Sequence, residues 1–163
     1  MININTTFVK GRDLTSDQRN IIKDMNRHFN WTPKMSQADF RMNISHYLVM
    51  NEDERLIGFI GLHYIIDEFE INTVYLDPTY RGQGIGRQLM RALFETAMVE
   101  RIRRIMLEVR AQNKVAIHLY ETMGFNEIAR RKNYYSTPTD DAIIMEYFTK
   151  KGEEADNDTY IIG

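Results

Sequence analysis

With 163 residues, 43% of them apolar, the chain has the length of one ordinary domain and enough apolar material for a substantial core. A net charge of -2, from 21 basic and 23 acidic residues, supplies no overall basic field, so neither nucleic acid nor an anionic membrane is expected as a partner. Cysteine is absent, which excludes disulfides, thiolate nucleophiles and thiolate-held metals.

The first residues, Met1 to Phe8, alternate apolar and polar side chains, which predicts a strand over 2–9 and not a signal peptide. The longest apolar runs fall short of the roughly 20 residues that cross a bilayer, and with no targeting signal the expected location is the cytoplasm. Thr15-Ser16-Asp17-Gln18 has the spacing of a capping box and opens a helix with Ile21, Ile22, Met25 and Phe29 on its apolar face. After Trp31-Thr32-Pro33, a shorter helix is expected from Ser36, carrying Phe40 and Ile44. Tyr47–Met50 and Leu56–Leu62, joined by the polar turn Asn51–Glu54, read as an antiparallel hairpin, followed by a third strand from Phe69 to Leu76.

Pro78 ends that strand. Beyond the glycines, Ile85, Leu89, Leu93 and Ala97 recur at helical spacing, widened by Met90, Phe94 and Met98. Ile105–Val109 suits a buried strand, and Asn113 is placed to cap a helix with Val115, Leu119 and Met123 that Gly124 closes. Two further strands, at 125–131 and 141–148, are expected around a loop, Lys132–Pro138, rich in tyrosines and turn formers. Residues 1–149 thus read as a single domain, and 150–163 as an acidic, mobile tail with almost nothing to bury.

The chemistry-bearing feature is Arg81-Gly82-Gln83-Gly84-Ile85-Gly86, between a strand and a long helix. Glycines at alternate positions free backbone N–H groups to point at one anion, at the positive end of the helix dipole. The motif is not a P-loop, because Arg87-Gln88 follows Gly86 where a Lys-Ser or Lys-Thr pair is needed. Nor is it a dinucleotide fingerprint, whose last glycine would stand at Arg87. Arg81 and Arg87 would add charge beside the anion. His28, His46, His63 and His118 have no metal-ligand spacing and read as surface or helix histidines, so no metal is expected.

The loop resembles the Gln/Arg-x-x-Gly-x-Gly/Ala signature of GNAT acetyltransferases. A second stretch, Leu107-Glu108-Val109-Arg110-Ala111-Gln112-Asn113 with Ala116 to Phe125, is similar to the cofactor-splaying strand and the helix after it in that superfamily. Arg131-Lys132-Asn133-Tyr134-Tyr135 and Asp141–Met145 resemble, more narrowly, the carboxy-terminal signature of the ribosomal-protein-alanine N-acetyltransferase (RimI) family; residues 30–45 diverge from it. The resemblance implies an α/β (α+β) fold, a mixed and mostly antiparallel twisted sheet flanked by helices, splayed near 74 and 107 to admit acetyl-CoA. It also implies direct transfer of an acetyl group to an amine, foremost the amino terminus of a protein, with a small-molecule amine or a lysine side chain as the alternative acceptor. A non-catalytic acyl-CoA-binding module is the remaining alternative, and the oligomeric state is open.

By the same resemblance Arg81, Gly82, Gln83, Gly84, Ile85, Gly86 and Arg87 would hold the pyrophosphate. The backbone of Val74, Tyr75 and Leu76 would pair with the pantetheine arm, and Asn113 would touch the cofactor, although helix capping explains Asn113 equally well. Glu108 would be the general base and Tyr120 the general acid; strand periodicity alone would make Glu108 a solvent-facing carboxylate, and packing alone would account for Tyr120. An α-amine, with a pKa of about 7.7 to 8.0, needs only a modest base, whereas a lysine at about 10.4 asks more of it. Tyr134 and Tyr135 would line the acceptor groove, while the adjacent basic residues Arg130, Arg131 and Lys132 read as a solvated strand end.

Overall fold

The computed structural model describes residues 3–149, so the expected tail lies outside the described residues. In chain order the strands are β1 (Ile4–Lys10), β2 (Ser45–Glu52), β3 (Arg55–Ile65), β4 (Glu68–Leu76), β5 (Arg104–Arg110), β6 (Asn126–Ser136) and β7 (Thr139–Phe148). The helices are α1 (Ser16–Asn26), α2 (Pro33–Arg41), α3 (Ile85–Val99) and α4 (Lys114–Thr122). The strands form one sheet in the order β1-β2-β3-β4-β5-β7-β6. Pairs β1/β2, β2/β3, β5/β7 and β6/β7 are antiparallel and β4/β5 is parallel, which gives the expected mixed, mostly antiparallel α/β fold. A parallel pair cannot be joined by a tight turn, and here the connection from β4 to β5 runs through α3. The described residues group into two compact units, one holding the chain up to Ile65 and Asn72–Thr96, the other Ile66–Ile71 and the described chain from Ala97 to Thr149.

In the first unit the Thr15 hydroxyl accepts the Gln18 N–H at 3.1 Å and the Gln18 side chain accepts the Thr15 N–H at 2.9 Å, completing the capping box. Ile22 of α1 joins Leu14, Phe40, Tyr47, Val49, Leu56 and Phe59 in a core against which Val9, Met25 and Tyr75 pack. Phe29 is not on that helical face. The helix stops at Asn26, and Asn30 takes a left-handed φ of 63° so that its N–H and that of Trp31 reach back to the carbonyls of Arg27 and Asn26. The next helix begins at Pro33, earlier than the sequence pattern suggests, because Thr32 supplies the cap and Pro33 needs no N–H partner. Ser36, read as the helix start, is instead buried and accepts a hydrogen bond from Asn26 at 3.0 Å.

Helix α3 buries Ile85, Leu89, Met90, Leu93 and Ala97 as its spacing predicts, but Met98 in the last turn is 72% exposed. In the second unit, α4 ends in a Schellman closure. Gly124, at φ +104°, donates to the Glu121 carbonyl and Phe125 donates to that of Tyr120 at 3.0 Å. Val115 lies on the outer face of α4, 84% exposed, and the helix buries Tyr120 instead. The largest departure is the expected loop at 132–138. Most of it is strand: Asn133 adopts φ 53° and shifts the β6/β7 register between Arg131 and Tyr135, leaving only Thr137 and Pro138 to turn. Asparagine tolerates that conformation, and its N–H donates to the Asp141 carboxylate at 2.9 Å, so a turn former serves as a bulge.

Candidate active site

The glycine loop lies in the first unit and is built from β4 forward. Asp77 ends the strand and accepts hydrogen bonds from the Thr79 N–H, at 2.9 Å, and from the Thr79 hydroxyl; these hold its carboxyl below the usual range, with the Arg55 and Arg81 charges assisting. A single helical turn, Pro78–Tyr80, follows. Arg81 donates through Nε to the Leu76 carbonyl at 2.9 Å, and Gln83 donates to that of Thr79 at the same distance, so two side chains of the motif brace the loop on its own stem. Gly82 and Gly84 have φ of +75° and +79°, a conformation that L side chains rarely adopt. A Cβ at either would meet no atom within 4 Å, so the glycines are required by backbone direction and not by crowding. Beyond them, the first turn of α3 carries N–H groups that a helix cannot satisfy internally. The glycines at 82 and 84, Arg81 and Arg87 are all exposed beside the start of the helix, an arrangement of the kind that can bind an anion.

Val74, Tyr75 and Leu76 form the end of β4 in this unit. Tyr75 packs on Phe59, with ring centroids 5.6 Å apart; burial, then the Asp77 charge, raises its phenol above the ordinary value, with Arg81 opposing. The β4/β5 ladder extends only from Glu68↔Arg104 to Ile71↔Leu107 and stops before Val74.

The second unit holds the remaining candidates. Glu108 lies in the middle of β5, with its side chain one-third exposed and its Oε1 3.7 Å from a guanidinium nitrogen of Arg131. Tyr134 and Tyr135 meet edge to face with centroids 5.2 Å apart. Arg131 lies over the Tyr134 ring at 5.3 Å and Arg110 over Tyr135 at 4.1 Å. Burial raises the Tyr135 phenol, and the Glu108 charge adds to the shift. Glu108, Tyr134 and Tyr135 are thus brought to one neighbourhood through Arg110 and Arg131, of which the sequence singles out only Arg131, as part of a solvated strand end.

Tyr120 is held differently. It is buried in α4 against Phe125, at 5.8 Å between centroids, and burial alone pushes its phenol up to about 12, so it stays protonated at any ordinary pH. The Asn113 side chain accepts the Ala116 N–H at 3.2 Å, which is the capping role.

One cluster has no counterpart in the sequence reading. Asp39, buried on α2, accepts hydrogen bonds from Ser45 at 2.8 Å and Tyr47 at 2.6 Å through one oxygen, while its other oxygen lies 2.7 Å from His63 Nε2. Burial alone would raise the Asp39 carboxyl, but these three bonds and the histidine charge outweigh it and leave it below the usual value. His63 is therefore a half-buried strand residue with a carboxylate partner, not the surface histidine that its spacing suggested. Because Ser45 donates to Asp39 and not to His63, the group is no nucleophile triad. It ties α2 to β2 and β3. Among the described residues no helix is long and apolar enough to cross a membrane.

The model of the acetyltransferase (GNAT) family matches residues 15–125. The chain belongs to the GNAT acetyltransferase family. It is an N-acetyltransferase, and GNAT enzymes take their acetyl group from acetyl-CoA. Among its relatives is the ribosomal protein bS18-alanine N-acetyltransferase of Salmonella typhimurium, 34% identical over 122 residues that cover 72% of this chain and 80% of that one. The N-alpha-acetyltransferase RimI of Mycobacterium tuberculosis is 33% identical over 119 residues, 71% of this chain and 73% of the relative. The crystal structure of the ribosomal-protein-S18-alanine N-acetyltransferase from Escherichia coli superposes with a TM-score of 0.77 at 27% identity, covering 91% of this chain and 94% of that one.

Proposed function

We propose that this GNAT enzyme acetylates the free α-amino group at the amino terminus of a protein, a ribosomal protein beginning with alanine being the foremost candidate. The observation that carries this reading is the 34% identity to the Salmonella enzyme across 80% of its length. The two compact units would act as a single N-acetyltransferase domain.

In this reading the donor set from Arg81 to Arg87 holds the pyrophosphate of acetyl-CoA, and the backbone of Val74, Tyr75 and Leu76 pairs with its pantetheine arm. Acetyl-CoA supplies an activated thioester carbonyl. Glu108 takes the proton of the attacking amine, directly or through one water; an α-amine is already partly neutral near pH 7.5, so a carboxylate is base enough. Tyr120 gives its proton to the departing sulfur. A phenol at about 12 is a weaker acid than the thiol it would form, and burial raises both without reversing that order, so the proton passes to sulfur only as the C–S bond breaks and the phenolate left behind takes a proton back from solvent. Tyr134 and Tyr135, each stacked on an arginine, offer the acceptor peptide a rigid aromatic edge. Asn113 keeps the capping role.

The test is CoA release with peptides starting in free alanine, beside the same peptides blocked at the amino terminus. Turnover is expected only with free amino termini, and Glu108→Gln is expected to lower kcat by about a hundredfold or more with little change in acetyl-CoA affinity. Equal turnover of blocked, lysine-containing peptides, or of small amines alone, would defeat the reading.

A further inference from the structure

The three strands β5, β7 and β6 of the second unit carry one continuous row of paired residues. Arg110 of β5 stands opposite Ala142 of β7, which stands opposite Arg131 of β6. One step along the same face, Glu108 stands opposite Ile144, which pairs with Ala129. Arg131 and Glu108 therefore lie on one face, diagonally across β7, two strand spacings or roughly 9.5 Å apart across the sheet and one row or roughly 6.8 Å apart along it. Their side chains nevertheless come within 3.7 Å of each other. The β7 residues on the diagonal between them are Ile144 and Ala142, and Ala142, fully buried, carries only a methyl group, which leaves room for two long side chains to meet on its side.

Four arginines stand on or near this face, and three are committed elsewhere, Arg104 of β5 to Glu68 and Glu146. Arg110 lies on Tyr135 and donates to the Pro138 carbonyl at 3.0 Å. Arg130, on the alternate position of β6, lies 3.5 Å from both Asp141 and Glu127. Arg131 is the one that turns to Glu108, and the Tyr134 ring beneath its guanidinium limits where that group can sit.

We propose that Arg131 is the positioning residue for Glu108, reaching over Ala142 to hold the carboxylate in the orientation that meets the acceptor amine. The proposal rests on the reading of Glu108 as general base. A glutamate has enough rotamer freedom to leave the line of the amine proton, and a base must come within about 2.6 to 3.2 Å of the donor atom. A guanidinium pinned on an aromatic ring restricts that freedom.

The experiment is a double-variant cycle of Arg131→Met and Glu108→Gln, read as kcat and as KM for acetyl-CoA, with melting temperatures as the folding check. Arg131→Met is expected to lower kcat about tenfold in the wild-type background, to leave KM for acetyl-CoA unchanged, and to cost nothing further when Glu108 is already Gln. Ala142→Leu, which keeps both charged residues but fills the space between them, is expected to reproduce the loss. Arg131→Lys should restore part of it, since an ammonium supplies charge without the planar fork. An equal loss from Arg131→Met in both backgrounds would show a purely structural role and overturn the proposal. So would undiminished kcat in Arg131→Met alone. Full turnover by Glu108→Gln by itself would overturn the reading of the base, and the positioning role with it; additive losses would overturn only the latter.

Discussion

The glycine loop of the first unit and the β5–β7–β6 face of the second are built in different ways, and the proposed function asks different chemistry of each. In the loop the backbone would be the functional group, and Gly82 and Gly84, at φ of +75° and +79°, set its direction. On the strand face the side chains would be the functional groups, and each lies against a neighbour from another strand, Glu108 against Arg131 and Tyr135 against Arg110. The loop is local and is built from consecutive residues. The face is not, since its partners at 108, 131 and 142 meet only through strand pairing. Damage to the loop should therefore show in donor affinity, and damage to the second unit in turnover.

Two substitutions test that division and a third sets a baseline outside it, from the largest expected effect to the smallest. Tyr120→Phe removes the phenolic proton while keeping the ring packed on Phe125, and is expected to lower kcat roughly a hundredfold with near-normal stability. An unchanged kcat under saturating substrates would make Tyr120 a packing residue only. Gly84→Val places a branched side chain at φ +79°, a strain of about 1 to 2 kcal/mol, and is expected to weaken acetyl-CoA binding about tenfold in calorimetry. If kcat alone fell, the contrast between the two regions would collapse.

The smallest effect concerns Asp39, which belongs to neither region. Its carboxyl lies below the ordinary value in the folded state, so its contribution to stability is fully present above the unfolded value of about 3.9 and is lost as pH falls through the folded one. Asp39→Asn is expected to cost about 1 kcal/mol at neutral pH, read from thermal melts, with the deficit against wild type shrinking as the pH is taken below about 4. A deficit that stays constant across that range would mean that the charge has no part in holding α2.

The same contrast explains what could be read in advance. The loop motif, the capping box at Thr15, the apolar stripe of α3 and the Gly124 closure are short-range patterns, and each has its expected local structure. The order of strands β5, β7 and β6 and the Arg131–Glu108 pair depend on register, which no short window contains. Within the expected loop Lys132–Pro138, residues 132–136 are strand because turn-forming residues can also serve a bulge; the left-handed Asn133 and its bond to Asp141 tell the two apart. Asp39 and His63, 24 residues apart, look like an ordinary helix carboxylate and an ordinary histidine until α2 is laid against β3.

The most direct test of the account is to offer the enzyme one peptide that carries both a free amino-terminal alanine and a lysine, at neutral pH, and to locate the transferred acetyl group by fragment mass spectrometry. The account predicts acetyl on the α-amine alone, formed by wild type and largely lost in Glu108→Gln. Acetyl on the lysine side chain, with the α-amine left free, would contradict it.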